Sequence, residues 1–169
     1  MRKSHLVNAT SICLFCATAA GLLGATRRPG LWEYTTTMTW QQAPVAPGSD
    51  LARLGGGTQT TQVCLTEELI DQYGILLPHS RGQCSIENKQ VEPGRITADY
   101  VCSGMMTGKG ALLSEWSDSE HVTGKLHFTG IMKVGAQAEP VEWTRESKAV
   151  FKSPDCGSVK PEALPKGRS

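Results

Sequence analysis

Cys84-SIENKQVEPGRITADYV-Cys102 decides the fold, because two cysteines bracket a segment whose turn signal, Glu92-Pro93-Gly94, lies at its midpoint. A hairpin folded there sets Cys84 opposite Cys102, Ile86 opposite Tyr100, Asn88 opposite Ala98 and Gln90 opposite Ile96, all on one face. The returning strand agrees with this register. Ile96, Ala98, Tyr100 and Cys102 form a less polar row than Arg95, Thr97 and Asp99, so the former should face a core.

The same two-residue period appears in Leu31-WEYTTTMT-Trp40. Trp32, Tyr34, Thr36, Met38 and Trp40 share one face, and Leu31, Glu33, Thr35, Thr37 and Thr39 share the other. A helical spacing would scatter these rings around an axis, whereas threonine suits a pleated strand. From Gln41 the prolines and glycines of QQAPVAPGSDLARLGGG predict a loop of about fifteen residues, and strand signals resume over Thr58–Leu65. Thr66 is an expected N-cap, with Glu67 and Glu68 in the first turn, Leu65, Leu69, Ile70 and Tyr73 as apolar contacts, and Gly74 as the stop. Further strands are expected over 109–117, 120–130 and 141–151. In the second, Val122, Gly124, Leu126 and Phe128 face away from His121, Thr123, Lys125 and His127; in the third, the inner row is Trp143, Arg145, Ser147, Ala149 and Phe151. The expected fold class is mainly β: an antiparallel meander forming a curved sheet, half-barrel or barrel-like shell, with one short helix.

The first 25 residues read as an export signal. Arg2 and Lys3 precede an uncharged stretch, Leu6 to Ala25, whose apolar centre is short for a membrane span. Cleavage sites are legible after Ala19 and Ala25, the later one removing Leu22 and Leu23 as well. The organisation expected is a signal peptide over 1–25, one disulfide-bonded β domain over 26–160 and a flexible tail over 161–169. In that setting the Cys13-Leu14-Phe15-Cys16 spacing is not a redox pair, and Phe15 stands where lipid attachment at Cys16 would need a small residue. An export signal places the domain in the periplasm, with secretion as the other destination.

Four cysteines remain, and an even number in an exported chain implies two disulfides out of three connectivities. The hairpin pairs Cys84 with Cys102, which leaves Cys64 for Cys156. In the chain-entropy account the short link stabilises by on the order of 3 kcal/mol and the long one by roughly 4 to 5 kcal/mol. Buried free thiols are the alternative. A tetrathiolate metal site is disfavoured because no two of the four cysteines are close in sequence.

Charge excludes some partners. The precursor carries 17 Lys and Arg against 16 Asp and Glu, a net of +1, and loss of residues 1–25 removes two basic groups and no acid. Nothing there forms the concentrated basic surface that nucleic acid requires. No Gly-x-Ser-x-Gly elbow or phosphate loop occurs, Gly55-Gly56-Gly57 lacking the Lys-Ser/Thr that such a loop needs. His121 and His127, six residues apart on one strand face, stand about 20 Å from each other and share no metal; no cofactor is expected.

The stretches RRPGLWEY, QVCLTEEL, YVCSG and SPDCG resemble the bacterial exported family catalogued as domain of unknown function 3617, over about residues 27–160. The resemblance implies export to the envelope of a Gram-negative bacterium and four paired cysteines, and brings no activity. Gly30-Leu31-Trp32 is more loosely similar to the Gly-x-Trp that opens lipocalins, which would imply a barrel floor closed by Trp32 against an arginine such as Arg145. Two functional readings follow from these residues. One is a non-catalytic binding or accessory module whose ring face, with Trp32, Tyr34, Met38, Trp40, Tyr100 and Arg145, takes an apolar ligand or an envelope protein partner. The other is a small envelope hydrolase using two of Glu33, Glu115, Glu142 and Asp99, which would have to lie within about 10 Å of one another.

Overall fold

The computed structural model describes residues 27–44, 56–73 and 83–161. The expected leader, the Cys13/Cys16 pair, Gly74, His79 and the tail beyond Pro161 lie outside these residues. Seven strands follow in chain order: β1 (Gly30–Gln42), β2 (Gly57–Leu65), then, after helix α1 (Glu67–Tyr73), β3 (Cys84–Glu92), β4 (Arg95–Ser103), β5 (Met106–Glu115), β6 (His121–Val134) and β7 (Gln137–Ser153). All pair antiparallel in one open sheet of order β2-β1-β7-β6-β5-β4-β3.

The stretch from β3 to β7 is the expected meander. The β1–β2 hairpin joins it out of sequence order, with β1 beside β7. The two ends of the chain meet there: Leu31 is opposite both Cys64 on β2 and Ser153 on β7. The disulfide Cys64–Cys156 is formed beside that junction, and Cys84–Cys102 closes the β3–β4 hairpin. The sheet stays open, with β2 and β3 as its edges, so neither a closed barrel nor the lipocalin floor is present. Trp32 instead packs edge-on against Phe151, ring centroids 5.5 Å apart, and its indole N–H donates to the Arg28 carbonyl at 2.9 Å.

One face carries the core, here called the ring face. Trp32, Tyr34, Ile96, Ala98, Tyr100, Cys102, Leu112, Val122, Leu126, Phe128, Trp143 and Ala149 are all buried on it. The large side chains lean together across this face. Tyr100 on β4 and Trp143 on β7 stand three strand spacings apart, about 14 Å in a flat sheet, yet their ring centroids are 6.4 Å apart. Phe128 lies between them, stacked on Trp143 at 5.2 Å and edge-on to Tyr100 at 6.2 Å. Glycines make the room. A Cβ on Gly108 would stand 2.9 Å from the Phe128 ring and 2.6 Å from the Gly130 Cα, so these paired positions admit no side chain beneath the ring.

Three sequence expectations change. The Asn88/Ala98 and Gln90/Ile96 pairs do not form, because a bulge between Glu87 and Gln90 shifts the register by one: Gln90 faces Thr97, and Val91 faces Ile96. Asn88 sits there at φ 50°, a left-handed conformation that asparagine tolerates, and its amide donates to Asp99 at 2.7 Å. Gln41 and Gln42 belong to β1, not to a loop. Finally, β6 and β7 run on to a two-residue turn at Gly135-Ala136, Gly135 having φ 62°. Pro140 is accommodated inside β7 because β1 ends its pairing at Glu142, which leaves Pro140 hydrogen-bonded to a neighbour on one side only.

Helix α1 starts as expected. Thr66 Oγ1 accepts the Leu69 amide at 3.3 Å, and the Thr66 carbonyl accepts the Ile70 amide at 3.1 Å. Leu69 and Ile70 are buried; the side chain of Tyr73 lies outside the described ones. Thr66→Ala should cost about 1 kcal/mol in urea unfolding, with Thr66→Ser close to wild type. An equal loss in both variants would place the effect elsewhere than in the cap.

Asp118 organises the β5–β6 connection. Its Oδ1 accepts the amides of Glu120 at 2.8 Å and His121 at 2.7 Å, and the carboxylate lies 3.0 Å from His121 Nδ1. The Glu120 amide first, then the His121 ring, hold this exposed carboxyl below the usual carboxylate value. A folded value below the unfolded one means that the contribution is full above the ordinary carboxylate value. It is lost as pH falls through the folded value. Asp118→Asn should therefore flatten the acid limb of a plot of urea midpoint against pH, while leaving the slope near neutral pH unchanged.

Candidate functional site

The side chains that could bind something converge on the ring face at β1 and β7. Two lateral rows matter. In one, Gly110, Phe128, Trp143 and Trp40 stand opposite one another across β5, β6, β7 and β1; in the next, Leu112, Leu126, Arg145 and Met38 do. The two-residue alternation of each strand aims all of them to the same side. Trp32, Tyr34 and Tyr100 are buried in the core, while Met38, Trp40 and Arg145 are half-buried. The structure thus brings Tyr34, Met38, Trp40, Tyr100 and Arg145 around one centre and leaves Trp32 apart, packed toward Phe151 and Arg28.

Arg145 is that centre. Its guanidinium carbon lies 5.8 Å from the Trp143 ring centroid, and its charge acts on both Tyr34 and Tyr100. Burial raises the phenol pKa of Tyr34 and of Tyr100; for Tyr34 the neighbouring Ser147 hydroxyl and Arg145 offset part of that rise, for Tyr100 Arg145 alone does. Five buried polar atoms on this face have no hydrogen-bond partner among the described residues: Arg145 Nε, Trp143 Nε1, Trp40 Nε1, Ser114 Oγ and the Tyr34 hydroxyl. Every one of them can donate. Ser147, by contrast, is satisfied, donating to the Gly124 carbonyl at 3.3 Å.

The opposite, polar face is self-compensated. Glu33 pairs with Lys152 at 2.9 Å, Glu142 with His127 at 3.4 Å and Lys125 with Glu146 at 3.7 Å. Two open troughs lie on it. One, of about 470 Å³, runs past Thr35, Thr37, Lys125, Glu146 and Lys148; the other, of about 520 Å³, runs past Arg95, Thr97, Asp99, Lys125 and His127. Neither is lined by the ring-face candidates. The strand register also separates the four acids. Glu115 is opposite Arg95, four residues from Asp99, so those two stand about 14 Å apart. Glu33 and Glu142 are eight residues apart along paired strands, about 27 Å. Glu33 lies three strand spacings and two residues from Glu115, Asp99 three spacings and two residues from Glu142, Glu142 two spacings and six residues from Glu115, and Glu33 four spacings from Asp99. The two-carboxylate arrangement finds no pair.

Four residues of this face were not legible as site residues. In the sequence Trp143 and Ser147 are legible only as core, and Ser114 and Phe128 carry no motif. Pairing of β6 with β7 and of β5 with β6 is what sets them beside Arg145. Arg27 and Arg28, which open the RRPGLWEY stretch, have a packing role. Arg27 lies over the Trp116 ring at 4.1 Å and donates to the Ile70 carbonyl at 3.2 Å; Arg28 lies over Phe151 at 4.5 Å and pairs with Glu120 at 2.7 Å.

No curated protein and no solved structure matches the chain. A family model described as "Protein of unknown function (DUF3617)" matches residues 27–156, which takes in the ring face, both disulfides and the Arg27-Arg28 lead. The resemblance carried by Gly30-Leu31-Trp32-Glu33, Cys64-Leu65-Thr66 and Asp155-Cys156-Gly157 is borne out, and the chain belongs to the DUF3617 family.

Proposed function

We propose that this protein is exported to the bacterial periplasm on a leader spanning residues 1–25, and that residues 26–160 act there as a non-catalytic binding module. Its ring face takes an apolar ligand. The observation that carries the reading is the set of donors around Arg145 that have no partner among the described residues, set among Met38, Trp40, Tyr100 and Trp143. A face that existed only to fill a core would be expected to pair its buried polar atoms or to exchange them for apolar ones. Two disulfides suit an oxidising compartment, and no helix among the described residues is long and apolar enough to cross a membrane.

Native mass spectrometry of the protein recovered from a periplasmic fraction tests this. The expected species begins after Ala25, has no free thiol and retains an apolar small molecule that is released on denaturation. Clean apoprotein, still empty after incubation with extracted envelope lipids, would contradict the binding reading. An intact leader on protein found in the cytoplasm would contradict export.

A further inference from the structure

Arg145 raises a question of charge that the apolar-ligand reading leaves open. Along the ring-face rows of the seven strands, the acid that shares its side is Glu139, six residues away on the same strand and about 20 Å distant. Every other carboxylate paired above belongs to the polar face or to a connection. Arg145 has no salt bridge among the described residues, and its Nε is buried without an acceptor. A partly desolvated guanidinium surrounded by rings and aliphatic side chains is costly unless an anion meets it. The nearby groups without a partner among the described residues, two indole N–H and two hydroxyls, add donors and no charge.

We propose that the ring face binds a long-chain carboxylate, the headgroup meeting Arg145 and the chain lying along the half-buried Met38 and Trp40. This rests on the binding reading above and names its ligand class. The planar guanidinium fork matches a carboxylate in a bidentate arrangement, and the indole N–H groups of Trp40 and Trp143, in the neighbouring row, are further donors without a partner among the described residues. One cation balances one negative charge, which favours a carboxylate over a doubly charged phosphate head. Met38 and Trp40, on the part of β1 where its pairing with β2 ends, are the half-buried members of the face beside Arg145.

Quenching or shift of tryptophan emission during titration, below the micelle concentration, measures the preference. The probes are dodecanoate, dodecanol, dodecyltrimethylammonium and dodecyl phosphate, on the mature oxidised protein. Dodecanoate should bind at least ten-fold tighter than dodecanol and dodecyltrimethylammonium, and tighter than dodecyl phosphate. Arg145→Gln should bring dodecanoate to within about three-fold of dodecanol without weakening dodecanol, and Arg145→Lys should retain part of the preference. Equal binding of acid, alcohol and amine by the wild-type protein would overturn the headgroup assignment and leave an apolar site standing. Tighter binding of dodecyl phosphate would overturn the carboxylate choice. Failure of all four probes to bind would overturn the binding reading itself.

Discussion

Trp32→Ala is expected to lower the unfolding free energy by about 3–5 kcal/mol, the range for removing a large aromatic from a packed core. Trp32 is fully buried, its ring meets Phe151 edge-on at 5.5 Å, and its indole N–H is satisfied by the Arg28 carbonyl. Alanine would open a cavity at the β1–β7 seam and leave that carbonyl short of a donor. Trp32→Phe keeps much of the ring packing but not the hydrogen bond, so a smaller loss of about 1–2 kcal/mol is expected. Thr39→Ala, on the exposed polar side of the same strand, should change stability by no more than about 0.5 kcal/mol. Urea unfolding at neutral pH reads all three. Similar losses for Trp32→Ala and Thr39→Ala would mean that the alternation of β1 does not divide inside from outside.

The second large effect belongs to the long disulfide. Cys64–Cys156 closes a separation of 92 residues and Cys84–Cys102 one of 18. Loop-closure entropy grows with the logarithm of that length, so losing the long link should cost about 4–5 kcal/mol and losing the short one about 3 kcal/mol. The paired variants Cys64→Ala with Cys156→Ala and Cys84→Ala with Cys102→Ala make the comparison by urea unfolding. Position points the same way. The long link ties the β1–β2 hairpin to the segment after β7, across the seam where the two ends of the domain meet, whereas the short one lies within the β3–β4 hairpin, whose strands already pair with each other. Amide exchange over 57–65 should therefore quicken in the first variant and stay slow in the second. The reverse order of stabilities would show that the unfolded ensemble is not what these links restrain.

Much of this architecture is legible in alternation alone. The inward rows of β1, β4, β6 and β7 follow from a period of two, because burial of one face forces that pattern on any strand beneath it. Both cysteine pairings follow from the midpoint turn. The bulge at Asn88 escapes the same logic, since one inserted residue is invisible to a count that assumes uniform pairing. The far ends of β6 and β7 escape it too. Pro140 and Gly135 read as a break, and only the absence of β1 beyond Glu142 makes the proline acceptable there. The binding face is less legible still. Arg145 reads as a candidate from its place beside Trp143, but its isolation from acids depends on how seven strands are ordered, with β7 between β1 and β6. That order is a long-range property, set where the two ends of the domain meet.

Peptide mapping of the native, unreduced protein tests this architecture most directly. The sheet order sets Cys64 beside the chain that leaves β7, and the midpoint turn sets Cys84 against Cys102. Two linked peptides are therefore expected, one joining Cys64 to Cys156 and one joining Cys84 to Cys102, with no thiol available to alkylation. A peptide joining Cys64 to Cys84 or to Cys102, or free thiols at positions 84 and 102, would contradict both the register and the seam that holds the ring face together.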